Sequence, residues 1–318
     1  MTAPNVFPPL IDKCWVITGA TASGKSELAM LLAESLNGEI LSLDSMAVYR
    51  GMDIGTAKPT AAQQAAVPHH LVDIVDPTEP FSVACYLRAA HKAVADILER
   101  GRTPIFVGGT PMYLKGILRG FDPGPPANWE FRQQIEADVK TYGLEALRNR
   151  LIQVDPLSAH RLHPNDVRRM TRALEVAFLT GEPLSHRQLQ HEQRCLPTEC
   201  RVFACQRQRE QLHLRIDQRV VAMFEAGLVE ETVRLLQSPK PLSHTATQAV
   251  GYAEVIDHLN DGVDLDETIE RVQAHTRQLA RRQETFLRSL GETTTVAIEN
   301  QASVEAIRDE ILSSLQRS

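Results

Sequence analysis

The chain has 318 residues, of which 43% are hydrophobic and 23% are charged, so a mainly disordered protein is excluded. No apolar stretch is long enough to cross a bilayer and the polar N-terminus does not resemble a secretory signal, so we expect a cytoplasmic protein without a membrane partner. The formal net charge of −6 argues against nucleic-acid binding by the chain as a whole, although local basic patches remain free to bind phosphate.

The N-terminal part alternates short strands with helices. Apolar β-type runs cover 14–18, 39–43 and 104–107, and helical spacing of apolar residues covers 27–36 and 81–100. Strands that alternate with helices are typical of a parallel sheet. The sequence therefore predicts an α/β fold with helices on both faces of the sheet.

The pattern changes after Phe121. A breaker cluster at 122–126 indicates a boundary, and the next strand-like run comes only at 201–204. We therefore predict a core formed by 1–123 and 201–318, interrupted by an all-helical insertion at 124–200. The remaining predicted elements are helices at 131–154, 167–180, 209–225, 228–236, 249–259 and 265–290, a strand at 293–298 and a closing helix at 304–315.

A complete G-x-x-x-x-G-K-S sequence joins the first predicted strand to the first predicted helix. It consists of Gly19, Ala20, Thr21, Ala22, Ser23, Gly24, Lys25 and Ser26. In such a loop the backbone N–H groups and the positive helix end face phosphates, while Lys25 adds a charge and Ser26 can ligate Mg²⁺. The motif predicts a P-loop NTPase-like sheet that binds a diphosphate or a triphosphate.

Two polar residues follow strands at the same predicted edge. Asp44 follows 39–43, and Thr110 follows 104–107 and two glycines. Because ligands of open α/β folds bind at the carboxyl ends of the strands, both residues are candidates for the site. Asp44 can be a Walker-B ligand of Mg²⁺, a general base or a structural cap. Asp73 and Asp76 are interpreted as structural.

The odd number of cysteines does not suggest a disulfide scaffold. Cys195, Cys200 and Cys205 follow His186 and His191, so a zinc site is one interpretation and reduced thiols are the other. Arginine-rich segments at 148–174 and 271–288 are either phosphate-binding patches or solvated helix faces.

Several motifs together resemble the tRNA dimethylallyltransferases, also called tRNA isopentenyltransferases, of the bacterial type. The run at 49–59, Tyr-Arg-Gly-Met-Asp-Ile-Gly-Thr-Ala-Lys-Pro, is far more specific than the glycine-rich loop alone. The resemblance extends over about residues 13 to 290. Its other motifs lie at 19–26, 43–47, 107–110, 163–166, 172–176, 215–219, 250–252 and 276–283.

The resemblance implies transfer of a dimethylallyl group from dimethylallyl diphosphate to N6 of the adenosine that is 3′-adjacent to the anticodon of tRNA. It implies Mg²⁺, no ATP, an insertion that grips the anticodon stem-loop, and a channel that admits the donor at one mouth and the flipped adenine at the other. By the same resemblance, Asp44 is the base, Thr110 holds the amine and Arg219 stabilises the leaving diphosphate, which agrees with the chemistry that such a transfer requires.

The resemblance also implies a set of tRNA contacts and a monomeric enzyme. The contacts are Asp44, Ser45, Met46, Ala47, Thr110, Arg132, Arg168, Arg169, Met170, Thr171, Arg172, Ala249, Val250, Gly251, Tyr252, Ala253 and Glu254. Two alternative functions stay open at this point. One is a nucleotide or metabolite kinase that uses Asp44 as a Walker-B residue, and the other is an adenylate dimethylallyltransferase that acts on free AMP.

Overall fold

The protein is described in a computed structural model, which covers residues 6–189, 201–298 and 303–315. Within these ranges, none of the helices combines the length and the apolar character needed to span a membrane. The described residues fall into two compact units. The core unit contains 9–118, 201–298 and 303–315, and the helical unit contains 6–8 and 119–189. The helical unit begins at Arg119 in the structure, whereas the sequence predicts that the insertion begins at 124.

The first part of the core unit alternates strands and helices as the sequence predicts. Helix starts follow local capping chemistry: Ser82, for example, accepts a hydrogen bond from the Cys85 N–H at 3.2 Å and so begins the third helix. The elements are β1 (Trp15–Gly19), α1 (Lys25–Ser35), β2 (Gly38–Leu43), α2 (Ala61–Ala66), β3 (His69–His70), α3 (Val83–Glu99), β4 (Thr103–Gly108) and α4 (Pro111–Arg119).

The helical unit has its own apolar core. It comprises α5 (Trp129–Val154), α6 (Pro156–Arg161), α7 (Val167–Thr180) and α8 (Leu184–Leu189). Phe131 and Ile135 of α5 pack with Met170 and Leu174 of α7, since residues at helical spacing share one face. The helix predicted at 131–154 is interrupted at Gly143, which has φ 81° and ψ 175°, so α5 is two helical segments joined by a kink.

The chain then completes the core unit. Its last elements are β5 (Val202–Gln206), α9 (Arg209–Glu225), α10 (Leu228–Leu236), α11 (His244–Thr247), α12 (Tyr252–Asp261), α13 (Leu265–Arg288), β6 (Thr294–Ala297) and α14 (Val304–Leu315). The predicted helix at 249–259 begins later, at Tyr252, because Gly251 in front of it has a positive φ of 96°. The sequence analysis does not predict α4 or the shorter elements α2, β3, α6, α8 and α11, which have six residues or fewer and are too brief to give a periodic signal.

In the described ranges the sheet has six parallel strands in the order β3-β2-β4-β1-β5-β6. Trp15 of β1 lies with Ile105 of β4 on one face, where α1 and α14 cover them. Neighbouring residues of a strand point to opposite faces, so Val16, Leu41 and Phe106 lie on the other face, and these too are buried. The sheet is thus covered on both faces, and its carboxyl edge is where a fold of this kind binds a ligand.

Candidate active site

The glycine-rich loop, residues 19–24, joins β1 to α1 through a tight turn. Gly24 stands directly before α1 with φ 100°, a left-handed conformation that glycine adopts without strain. A Cβ atom at Gly19 would lie 2.6 Å from Ser23 Oγ, so a larger residue does not fit at that position. The loop leads into the positive end of α1, where a bound anion is favoured.

Two side chains from distant helices hold this loop. Gln283 of α13 accepts the Thr21 N–H at 2.8 Å and donates to the Gly109 carbonyl at 3.1 Å. Arg215 of α9 donates through Nε to the Ala22 carbonyl at 3.1 Å. The Thr21 amide is therefore bonded to Gln283 in this structure, whereas the predicted phosphate contacts of the loop stay predictions.

Positive charge is concentrated beside the loop. Lys25 begins α1, and its Nζ donates to the Ala20 carbonyl at 3.1 Å. Burial and the neighbouring Arg219 lower the pKa of Lys25 to about 8, while Asp44 opposes that shift. Burial, together with the charge of Arg215, also lowers the pKa of Arg219. Cations with so little solvation gain strongly from an anion placed between them.

Asp44 follows β2, and its carboxylate is held by one oxygen. Oδ1 accepts the N–H groups of Met46 at 2.7 Å and Ala47 at 3.3 Å. No described residue donates a hydrogen bond to Oδ2. Thr110 Oγ1 accepts the N–H of Ser45 at 3.1 Å, which ties the β4–α4 loop to the same segment. The structure therefore brings Asp44 and Thr110 to one site and leaves a carboxylate oxygen open for chemistry.

Two adjoining clefts open at this edge of the sheet, within the core unit. The first cleft contains Ser26 and Lys58, and the second contains Ser45, Thr110 and Arg282. They meet along residues that line both, namely Thr21, Lys25, Asp44, Thr56, Ala57 and Arg219. One site can thus receive two ligands, the first from the side of the glycine-rich loop and the second from the side of Thr110.

Oxygen donors suited to magnesium also line the first cleft. Ser26 lies there with Asp44 and next to Lys25. Hydroxyl and carboxylate oxygens are ligands that Mg²⁺ prefers, and it often shares them with phosphate oxygens. The residues present therefore fit a magnesium ion that accompanies a diphosphate.

The predicted tRNA contacts in the core unit divide by burial. Ser45, Met46, Ala249, Val250 and Gly251 line the second cleft, whereas Ala47 lines the first. Tyr252 is 1% exposed and Glu254 is 6% exposed. Their side chains are directed inward, so the predicted tRNA contacts at these two positions would have to involve the backbone and stay predictions.

The Glu254 side chain has partners within the core unit. It accepts the N–H of Gly251 at 2.7 Å and contacts Nδ1 of His275 at 2.5 Å. Ala253, which lies between the two buried residues, is partly exposed. The segment therefore offers the cleft its backbone and small side chains, while its larger side chains stabilise the turn.

The predicted contacts in the helical unit also differ from one another. Arg168 and Arg169 are exposed at the start of α7, and Thr171 is partly exposed. Met170, by contrast, is 1% exposed and belongs to the apolar core, because it lies on the inward face of α7. The Met170 side chain therefore packs in the core of the helical unit, and its predicted tRNA contact stays a prediction.

Arg132 and Arg172 share one buried carboxylate. Arg132 donates to both oxygens of Glu175 at 2.8 Å, and Arg172 donates to Glu175 Oε2 and to the carbonyls of Pro123 and Pro125. Burial opposes ionisation of Glu175, but the hydrogen bonds from the two arginines outweigh it and lower its pKa. About a third of each arginine side chain remains exposed. These arginines hold the helical unit together whatever else they bind.

Sequence reasoning missed two buried polar residues, Gln283 and Glu231. Gln283 lies in a motif that carried the resemblance, yet it was assigned no role. Glu231 of α10 accepts backbone N–H groups of Asp53, Ile54 and Gly55. A glutamate in a helix gives no sign of burial by itself, and only its spacing relative to Leu228 and Thr232 suggests an inward face.

The zinc interpretation concerns residues that are mostly outside the described ranges, since Cys195, Cys200 and His191 lie there. Among the described residues, no group of three or more potential metal ligands comes together. Cys205 lies in β5, where burial raises its pKa to about 12. This thiol is therefore a small apolar side chain of the sheet.

Fold and cleft together define an α/β protein with a ligand site at the carboxyl edge of a parallel sheet. The sequence profile of the family described as IPP transferase matches residues 47–290. The chain belongs to this family. Among its relatives, the tRNA dimethylallyltransferase of Rhodopirellula baltica is 56% identical over 299 residues, which cover 92% of this chain and 90% of that protein. The Geobacter sulfurreducens enzyme of the same name is 47% identical over 276 residues, covering 87% and 89%.

Solved structures agree with these relatives. The full-length tRNA isopentenylpyrophosphate transferase of Bacillus halodurans is 38% identical, with a TM-score of 0.69, over 96% of this chain and 97% of that one. A eukaryotic dimethylallyltransferase acting on tRNA is 26% identical, with a TM-score of 0.77, over 96% and 78%. The predicted α/β fold is thereby confirmed, and neither a kinase nor an enzyme of free AMP is favoured.

Proposed function

We propose that this protein transfers a dimethylallyl group from dimethylallyl diphosphate to N6 of the adenosine 3′-adjacent to the anticodon in tRNA. The observation that carries the proposal is the junction of the two clefts, where Lys25, Asp44 and Arg219 line both. The diphosphate occupies the first cleft, at the glycine-rich loop. The adenine enters through the second cleft, beside Thr110.

In this arrangement the adenine N6 attacks C1 of the dimethylallyl group. The new N6–C1 bond forms as the C1–O bond breaks, and the diphosphate leaves with the electron pair. Lys25 and Arg219 stabilise the charge that develops on the leaving oxygen. The proton lost from N6 goes to Oδ2 of Asp44, which no described residue occupies. The Thr110 hydroxyl accepts only one hydrogen bond within the described residues and can accept another from the amine.

Magnesium fits this proposal through the Ser26 hydroxyl, an oxygen donor of the first cleft that lies next to Lys25. The ion would neutralise diphosphate charge and so improve the leaving group. The chain's own residues still orient the donor, because the glycine-rich loop and Lys25 bind the diphosphate end. Release of diphosphate then reopens the first cleft.

The tRNA grip belongs to the helical unit in this proposal. Arg168 and Arg169 are exposed at the start of α7, where Arg169 also pairs with Asp166 at 3.4 Å, and both would contact the RNA backbone. Extruding a base from its stack costs a few kcal/mol, which backbone contacts of this kind offset. In this proposal the protein acts as a cytoplasmic monomer.

The test is transfer of labelled dimethylallyl diphosphate to unmodified tRNA in the presence of Mg²⁺. We expect label on the tRNA, located by nucleoside mass analysis at the adenosine next to the anticodon, and a loss of transfer when a chelator removes magnesium. Parallel reactions contain AMP in place of tRNA, or ATP in place of the donor. Label on AMP alone, or phosphate transfer from ATP without prenylation, would overturn the proposal.

A further inference from the structure

The buried carboxylate of Glu231 gathers four hydrogen-bond donors from two separate segments. Oε2 accepts the N–H groups of Asp53 at 3.1 Å and Ile54 at 3.0 Å. Oε1 accepts Ile54 N–H at 3.1 Å, Gly55 N–H at 3.4 Å and the Tyr252 hydroxyl at 2.6 Å. Three successive backbone amides thus converge on one side chain from α10, far away in sequence.

The burial of this carboxylate needs an explanation. Glu231 is 3% exposed, and no lysine, arginine or histidine of the described residues forms an ion pair with it. Removing a carboxylate from water costs several kcal/mol unless hydrogen bonds compensate. A stable α10 could carry an apolar residue here. The carboxylate is therefore explained by what it holds, which is the backbone of 53–55.

The held backbone leads directly into the wall of both clefts. Thr56 and Ala57 line the first and the second cleft, and Lys58 lines the first. At Gly55, a Cβ atom would lie 2.5 Å from the ring of Tyr252, so the loop is pressed against α12 as well. The position of this wall, defined here as residues 56–58, therefore depends on the contacts made just before it.

A second anchor fixes the other end of the wall. Lys58 Nζ donates to the Tyr49 carbonyl at 2.6 Å and pairs with Asp53 at 2.6 Å and Asp73 at 2.5 Å. The Lys58 side chain is 5% exposed. Since its ammonium already has three acceptors, Lys58 holds the loop and does not need to bind the donor. Glu231 and Lys58 together leave the wall little freedom.

We propose that Glu231 is a positioning residue of the transfer reaction, which acts through the 53–55 backbone to place the wall between the two clefts. This inference rests on the proposed function. It predicts that loss of the Glu231 contacts weakens binding of dimethylallyl diphosphate. Displacing the wall widens the junction at Thr56 and Ala57, and the donor is then bound less tightly before transfer.

The test compares the KM for dimethylallyl diphosphate in Glu231→Gln, Tyr252→Phe and Glu230→Gln, with tRNA saturating. Glutamine keeps the shape of Glu231 but turns an N–H₂ toward the backbone amides. We expect about a tenfold rise in donor KM for Glu231→Gln, which disturbs several hydrogen bonds, and a smaller rise for Tyr252→Phe, which removes one. Glu230 is exposed on the same helix, so Glu230→Gln should match the wild type.

The readout separates positioning from stability. A residue that only stabilises the fold changes the fraction of active molecules, which lowers the apparent kcat and leaves the KM of the remaining molecules unchanged. A wild-type KM in folded Glu231→Gln overturns the inference, and if that variant does not fold, a wild-type KM in Tyr252→Phe does so. Absence of transfer by the wild type itself would instead refute the proposed function.

Discussion

The carboxyl edge of the sheet and the helical unit use charged side chains in opposite ways. At the sheet edge, Asp44 is held by one oxygen only and Lys25 by a single carbonyl, so both retain capacity for a ligand. In the helical unit, Arg132 and Arg172 are bonded to a carboxylate that is fully buried. A cluster of charges in sequence therefore does not define a binding site. What defines it is whether the fold leaves the polar atoms unsatisfied.

The strongest test of this contrast is Asp44→Ala at the sheet edge. We expect the single-turnover transfer rate to fall by about 10²–10⁴-fold, because a general base contributes that much, while tRNA still binds. Asp44→Asn keeps an oxygen for the N–H groups of Met46 and Ala47 but cannot accept the proton. This variant therefore distinguishes the role of Asp44 as a base from its structural role as a hydrogen-bond acceptor. If Asp44→Asn transfers at the wild-type rate, Asp44 is not the base.

In the helical unit the matching change is Glu175→Ala, whose main effect should be on folding. Removing one partner of a buried ion pair leaves the arginines uncompensated, and since these are partly exposed we expect the lower end of the usual cost, about 3 kcal/mol. Chemical denaturation followed by circular dichroism measures this loss. Glu182→Gln, at an exposed position of the same unit, is the control. Equal stability of the two variants would contradict the structural role of Glu175.

The same carboxylate makes a pH prediction. The pKa of Glu175 in the folded protein lies below its usual value of 4.5, so its stabilising contribution is present above that value and disappears as the pH falls through the lower, folded pKa. Denaturation at a series of acidic pH values should therefore show a smaller acid-dependent loss of stability in Glu175→Gln than in the wild type. Parallel pH dependences would contradict this assignment.

At the sheet edge, the pH dependence should come from Lys25 and run in the other direction. Its pKa of about 8 means that the free enzyme loses this charge as the pH rises through that value. We expect kcat/KM for the donor to fall up to tenfold per pH unit above about pH 8. Arg219→Gln removes a like charge beside Lys25 and should therefore move this fall in kcat/KM to higher pH, although overall activity is lower. If kcat/KM falls at the same pH in Arg219→Gln and in the wild type, Lys25 is not the group that titrates.

The smallest effects are expected for the exposed arginines of α7. Arg168→Ala or Arg169→Ala should weaken tRNA binding modestly and reduce the slope of log affinity against log salt by about 1 for each lost phosphate contact. Arg234→Ala, on an exposed position of α10, should leave both quantities unchanged. Binding titrations at several salt concentrations measure the slope. If all three variants behave alike, α7 does not contact the RNA backbone.

Local sequence was sufficient for the elements that carry the chemistry. The strand, glycine-rich loop and helix of 15–35 follow from apolar runs, from glycine's conformational freedom and from helical spacing, all of which act over a few residues. The places of Asp44 and Thr110 follow because parallel strands end at one edge of a sheet. The strand, loop and helix depend on neighbours in the chain, and the shared edge follows from the general rule for parallel sheets, so the sequence alone was sufficient to predict them.

Only the tertiary structure decided which polar side chains form hydrogen bonds that hold the site in place. Gln283 reaches Thr21 across 262 positions of the chain, and Glu231 reaches Asp53 across 178. It likewise buried Met170 and Tyr252, which motif similarity had assigned to tRNA. A periodic pattern gives the direction of a side chain around its own helix but not what packs against that face. Burial of a polar group depends on the element that packs against that face, because a hydrogen-bond partner from that element must replace the water that the polar group loses.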